Sequence, residues 1–304
     1  MRVIALALAI CALCACDVVQ WRRSSYEKTM RKAGLRPAKL RLDGAQVHLW
    51  HGGDGGAVLL VHGFGADAIW QWHAQVEALS GRRLIVPDLL WFGQSRSTRK
   101  DYSIAHQVRT LIAVLDRLEV QRADLVGISY GGIIAYEIAR LHPARVRRLV
   151  MVDSPGRVYT RRDYHELCQR FGVKDLGRVL VPDDVAGVKR LLDLAYWDPP
   201  YMPRFAARQV LSQLYSSFRS EKIALLHALQ QEVLRPTPPG RVRAPTLIIW
   251  GRQDPVFPLG LGLRLAKAIG SNVRLEVIDH ARHAPNLEHP ATFNRLVAGF
   301  LRSP

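Results

Sequence analysis

Cysteine is almost missing from the body of this chain. Three of its 4 cysteines, Cys11, Cys14 and Cys16, fall in the first sixteen positions, and only Cys168 lies beyond them. A body with one thiol cannot close an internal disulfide, so packing has to hold it, and Cys168 reads as a small buried hydrophobe. Acidic charge is scarce as well: 26 Asp and Glu face 43 Lys and Arg, a formal net charge of +17. That excess favours acidic partners, either nucleic acid or an anionic membrane surface. The arginines are scattered through the whole chain, without the aromatic interleaving of a single-strand groove or a zinc-finger spacing, which argues against nucleic acid. The apolar run at the N-terminus, Val3 to Ala15, is shorter than the about 20 residues that span a bilayer.

That run comes after Arg2 and has the length of a signal-peptide core. Its end, Leu13-Cys14-Ala15-Cys16, resembles a bacterial lipobox. The resemblance implies a lipoprotein signal peptide over residues 1–16 and lipidation of Cys16. It also implies that Asp17 would hold the protein at the inner membrane of the cell envelope, facing the periplasm. An uncleaved short anchor and an ordinary cleaved leader are the alternatives. Residues 17–39 contain most of a basic run (Arg22, Arg23, Lys28, Arg31, Lys32, Arg36, Lys39), which suits a juxtamembrane segment or a solvated linker.

Core material is plentiful: 48% of the chain is hydrophobic and 23% charged. Residues 40–56 alternate around Asp43-Gly44 like a hairpin, and Ala57 to Val61 is a fully apolar run, as a central parallel strand requires. Helical and strand patterns then alternate through Trp70–Leu79, Arg83–Pro87, Ser103–Leu118, Ala123–Ile128 and Val146–Asp153. Between about Pro155 and Gly240 only helical patches and prolines occur. Strand and helix resume at Thr246–Trp250, Leu259–Ile269, Val273–Ile278 and Pro290–Leu301. Alternation with short connections predicts a mostly parallel sheet flanked by helices, with a helical segment inserted.

Three chemically capable residues fall at equivalent places, each past the end of a strand: Ser129, Asp254 and His283. Parallel strands open on one edge, where such folds bind ligands. The five residues Gly127-Ile-Ser-Tyr-Gly131 are a weak signal alone. With His62-Gly-Phe-Gly65, Ile248 to Pro258 (IIWGRQDPVFP) and Ala281 to Pro290 (ARHAPNLEHP) in this order, the chain resembles the α/β-hydrolase fold family. Within it the chain is similar to membrane-anchored monoacylglycerol lipases. The resemblance implies core segments over 40–154 and 241–304 around a lid over 155–240. It implies Ser129 as nucleophile, His283 as base, Asp254 as the acid that orients it, and the backbone N–H groups of Phe64 and Tyr130 as oxyanion donors. Asp153 and His280 are the rival acid and base. His62 and Asp88 read as supports of the neighbouring turns, and Trp91 departs from the glycine usual at its place.

The leading expectation is therefore a serine esterase of the acylglycerol-lipase type, needing neither metal nor cofactor and acting on a small-molecule ester or lipid. The alternatives are a carbon–carbon bond hydrolase, a cofactor-free lyase or perhydrolase, and a non-catalytic binding module on the membrane. Oligomeric state stays open. The lid aromatics Tyr196, Trp197, Tyr201, Phe205, Tyr215 and Phe218, with Met202, are expected mostly to pack the lid on the core.

Overall fold

The computed structural model describes residues 17–65, 67–233 and 240–302. Cys16 and the leader lie outside the described residues. In chain order the elements are helix α1 (Val18–Lys32), strands β1 (Arg36–Leu42), β2 (Ala45–Gly52) and β3 (Ala57–Val61), helix α2 (Ala68–Trp72), strands β4 (Arg83–Pro87) and β5 (Arg96–Ser97), helix α3 (Ile104–Arg117), strand β6 (Ala123–Ile128), helix α4 (Tyr130–Leu141) and strand β7 (Val146–Val152). Next come helices α5 (Arg161–Arg170), α6 (Gly177–Leu180), α7 (Val185–Ala195), α8 (Arg204–Val210), a π-helical turn (Leu211–Tyr215) and α9 (Arg219–Val233), without a strand among the described residues. The chain then returns to the sheet with β8 (Thr246–Gly251), α10 (Leu259–Ile269), β9 (Val273–Ile278), α11 (Pro285–Glu288) and α12 (Pro290–Arg302).

The strand order is β1-β2-β4-β3-β6-β7-β8-β9, with β5 beside β2. The β1–β2 and β2–β4 pairs are antiparallel, and every pair from β4 to β9 is parallel. This is the expected hydrolase architecture with its inserted helices. The strand order reverses at β3: the chain runs outward from it to β4, then crosses back to β6 on its other side. Open α/β sheets place their ligand at such a reversal.

Burial on both faces explains why the middle stretches of the central strands, residues 58–61, 125–128, 149–152 and 247–250, are apolar throughout. Leu59, Val61, Leu125, Leu149, Met151 and Ile248 pack with α3, α4 and α10 on one face. Their alternate neighbours Val58, Leu60, Val126, Ile128, Val150 and Ile249 pack on the other with Met30, Ile69, Trp72, Phe293 and Val297, from α1, α2 and α12.

Helix α1 departs from the sequence-based expectation. Its basic run suggested a juxtamembrane stretch, yet it folds onto the body. Asp17 caps it by accepting from the Gln20 N–H at 2.9 Å, Val19 and Met30 are buried, and Tyr26 stacks on His73 with ring centroids 3.6 Å apart. Its cations are engaged too: Arg31 lies over the Trp50 ring, Lys32 pairs with Glu77 at 3.1 Å, and Arg23 pairs with Asp67. Asp67 is buried, and burial together with the nearby Asp88 pushes its carboxyl up, against the pull of Arg23. Arg23→Ala should therefore strand a buried acid and cost about 3 kcal/mol. That is roughly 5–10 °C in Tm for a chain of this size, read by calorimetry beside an exposed control such as Arg162→Ala.

Candidate active site

The site is built where β6 turns into α4. Ser129 occupies the bend with φ 53° and ψ −121°, a conformation non-glycine residues adopt only when their surroundings over-determine it. Here the Ser129 N–H donates to Val152 O at 2.9 Å, and Ser154 Oγ donates to Ser129 O at 2.8 Å. Glycine is obligatory just beyond. A Cβ on Gly131 would lie 2.3 Å from the carbonyl oxygens of Val61 and His62, and one on Gly132 would lie 2.4 Å from Ser154 Cβ. The bend is thereby pressed against the end of β3, beside His62-Gly63-Phe64.

That second turn has its own supports. The Leu89 N–H donates to His62 Nε2 at 2.9 Å, and His62 Nδ1 lies 2.8 Å from Gly63 O, which fixes a neutral tautomer. Burial lowers the His62 pKa in the same sense. Asp88 accepts from the N–H groups of Ala68 and Gln94, each at 3.1 Å, and lies 2.9 Å from His48 Nδ1. Both residues hold turns and neither reaches Ser129. Trp91 adopts φ 66°, the left-handed conformation that the usual glycine would take at its place.

Asp254 and His283 arrive from the loops after β8 and β9. His283 Nε2 lies 2.9 Å from Ser129 Oγ, and its Nδ1 lies 2.8 Å from Asp254 Oδ2. Asp254 Oδ1 accepts from the N–H groups of Val256 (2.7 Å) and Phe257 (3.1 Å), so the carboxylate is held rigid. The insertion pins the histidine loop, since the Ala284 N–H donates to Ala195 O at 3.0 Å, at the end of α7. Phe64 and Tyr130 flank Ser129 with their rings 5.8 Å apart. Tyr130 opens α4, so its N–H is one of the donors a helix leaves unpaired at its start.

The two rivals separate cleanly. His280 is exposed, its carbonyl accepts from His289 Nε2 at 2.9 Å, and it stands outside the hydrogen-bonded line. Asp153 is fully buried with φ 41°, and its Oδ1 accepts from the Gly251 N–H at 2.8 Å. Burial, then the charge of Asp254, raises its pKa well above the usual carboxylate range. Both causes favour the protonated form of Asp153, which stands beside Asp254. Asp153, Asp254 and His283 bring one potential ligand atom each within 4.8 Å of one another. Asp254 and His283 already spend those atoms on N–H groups and on Ser129, so the cluster is wired for proton transfer rather than for a cation.

Sequence reading missed the carbonyl contact of Ser154, the raised pKa of Asp153 and the walls of the cavity beside Ser129. That cavity measures about 620 Å³. Tyr196, Tyr201, Met202, Phe205 and Tyr215 line it, whereas Trp197 and Phe218 do not. Five of the seven lid residues expected mostly as packing thus face this space. The excess of aromatics in a strand-free segment was the available signal.

Comparison with known proteins adds to this geometry. The sequence pattern described as the alpha/beta hydrolase family matches residues 58–296. A 2-hydroxymuconate semialdehyde hydrolase of Pseudomonas sp. (strain CF600) is 32% identical over 275 residues, covering 85% of this chain and 91% of that protein. A 2-hydroxy-6-oxo-2,4-heptadienoate hydrolase of Pseudomonas putida is 31% identical over 273 residues, covering 85% and 93%. Among solved structures, a meta-cleavage product hydrolase from Pseudomonas fluorescens IP01 is 27% identical with a TM-score of 0.73, covering 87% of this chain and 97% of its own. A bacterial membrane phospholipase A has a TM-score of 0.79 and covers 98% and 96%, but at 24% identity it shows the shared fold alone.

These findings overturn the expected location at the inner membrane facing the periplasm. The relatives that align with most of the chain are named as hydrolases of 2-hydroxymuconate semialdehyde and 2-hydroxy-6-oxo-2,4-heptadienoate, not of envelope lipids. Among the described residues no helix is long and apolar enough to cross a membrane. Arg23, Arg31 and Lys32 of α1, part of the basic run that suggested a juxtamembrane stretch, contact Asp67, Trp50 and Glu77 of the body.

Proposed function

This chain belongs to the alpha/beta hydrolase family, and we propose that it is a serine hydrolase of carbon–carbon bonds, acting beside a ketone in an acid of the 2-hydroxy-6-oxo-2,4-dienoate class. The observation that carries the mechanism is the line from Ser129 Oγ through His283 to Asp254, at 2.9 and 2.8 Å. The relatives at 31–32% identity support the bond type.

Ser129 adds to the ketone carbon while His283 takes its proton, and Asp254 holds the imidazole tautomer and offsets the imidazolium charge. The backbone N–H groups of Phe64 and Tyr130 receive the oxyanion, and losing one such donor costs about 3 kcal/mol. In the keto tautomer of such a substrate the leaving carbon is conjugated to the 2-oxo acid. The electron pair of the breaking bond therefore delocalises, and His283 returns its proton to carbon. Water, deprotonated by His283, then adds to the acyl–Ser129 ester and releases the carboxylic acid. One water is consumed for each bond broken.

A second reading, hydrolysis of monoacylglycerol or a similar amphiphilic ester, is favoured by the apolar cavity of about 620 Å³ beside Ser129. The attack is the same and the leaving group is an alkoxide. A side-by-side panel separates the two. Loss of the visible absorbance of a 2-hydroxy-6-oxo-dienoate should proceed with kcat/KM of about 10⁴ M⁻¹s⁻¹ or more. Release of p-nitrophenol or glycerol from esters should be at least roughly tenfold slower by the same measure. The opposite ranking would transfer the assignment to the ester reading.

A further inference from the structure

Ser129 sits where two cavities meet, and Phe64, Ser129, Leu180, Val256 and His283 belong to the walls of both. The smaller one, enclosed by residues such as Tyr159, Leu167, Leu226 and Phe257, measures about 80 Å³. A water molecule in the liquid takes about 30 Å³, so this space admits a group of only a few atoms. The larger cavity, about 620 Å³, lies within the range of about 300–1,000 Å³ that holds whole small ligands. Its far wall is α1, through Val18, Val19, Trp21, Arg22 and Tyr26.

This helix lies outside the family match over residues 58–296, yet it is fixed between the insertion and the turn after the Phe64 loop. The Val18 N–H donates to Gln209 Oε1 at 2.9 Å, and Asp17 Oδ2 accepts from Gln213 Nε2 at 2.8 Å. On the other side Arg23 pairs with Asp67, and Tyr26 packs edge-on against Trp70 at 5.1 Å. Trp21 and Tyr201, 66% and 91% exposed, mark the mouth.

We propose that α1 is part of the substrate site and that the substrate carries a long apolar substituent, an alkyl or acyl chain laid along Val18, Val19 and Tyr26. The inference rests on the serine-hydrolase reading above and names its substrate class. A wall bolted to both neighbours does not yield to a ligand, so its apolar lining selects by chain length. Each methylene accommodated there raises kcat/KM.

Alkyl fluorophosphonates test this whatever the natural leaving group, because Ser129 Oγ displaces fluoride from phosphorus and loses its proton. The full-length protein is labelled with ethyl and dodecyl probes, and rates are read by intact mass. The parent should label faster with the dodecyl probe. Val18→Trp, which fills the cavity at α1, should lower the dodecyl-to-ethyl rate ratio about tenfold or more. Val18→Glu is the second variant: a carboxylate in the first helical turn favours the helix, so folding is preserved while the wall becomes polar. It should lower the dodecyl-to-ethyl ratio in the same direction. An unchanged ratio in both variants overturns the role of α1. Absence of labelling at every chain length overturns the serine-hydrolase reading instead.

Discussion

Ser129→Ala should lower kcat by about 10⁶-fold while KM stays within a few-fold, since the nucleophile of a triad contributes on that scale and substrate contacts remain. Residual turnover of about 10³–10⁴ over water is expected, from the donors of Phe64 and Tyr130 and from substrate positioning. Folding should be nearly untouched. Alanine keeps the Cβ and therefore the same demand for φ 53°, and the contacts that enforce it use the backbone of residue 129, whose N–H donates to Val152 O and whose carbonyl accepts from Ser154 Oγ. The lost interaction is the 2.9 Å contact with His283. Steady-state rates, fluorophosphonate labelling and a melting curve check all three statements together. Full activity in this variant would end the mechanism, however intact the fold.

Asp254→Asn should cost about 10⁴-fold in kcat, because an amide presents the wrong partner to His283 Nδ1 and cannot stabilise the imidazolium. Asp153→Asn should cost less than about tenfold. The two acids lie side by side, but Asp254 accepts three N–H groups, whereas Asp153 accepts from Gly251 and its pKa is raised by burial and by its neighbour's charge. An asparagine oxygen can keep the Gly251 contact. Asp153→Ala removes that contact and should lose about 1–3 kcal/mol of stability.

The pH dependence has a definite sign. Asp153 titrates higher in the folded state than in the unfolded chain, so its contribution is complete below about pH 4 and is lost as pH rises toward its folded value. Asp153→Asn should therefore melt progressively higher than the parent as pH climbs above about 4. A constant difference across pH would mean that Asp153 is ionised in the native state.

Much of this was legible from local pattern. Residues 58–61 are an unbroken apolar run and Ala123–Ile128 is apolar apart from Asp124, as strands buried on both faces require, and their glycine-marked ends located the two turns at Ser129 and Phe64. The chain-wide alternation placed Asp254 and His283 after later strands, hence on the same edge, because parallel strands share one direction. Chain order and periodicity carry such information, since both arise from backbone geometry within a few residues.

Long-range placement is another matter. The run from Val18 to Lys32 reads as basic with apolar residues interspersed, and its composition serves a membrane neighbour as well as a protein one. Partners far away in the chain, such as the buried Asp67, 44 positions from Arg23, decide that the helix docks on the body. Whether Tyr201, Phe205 and Tyr215 fill a core or line a cavity likewise depends on the separation between α8, α1 and the Phe64 loop. Asp153 and Asp254 are chemically identical residues at the ends of adjacent strands. Burial and the neighbour's charge raise the pKa of one, and the other faces the imidazole. Charge state and cavity shape are sums over everything nearby, and what is nearby exists only once the chain has folded.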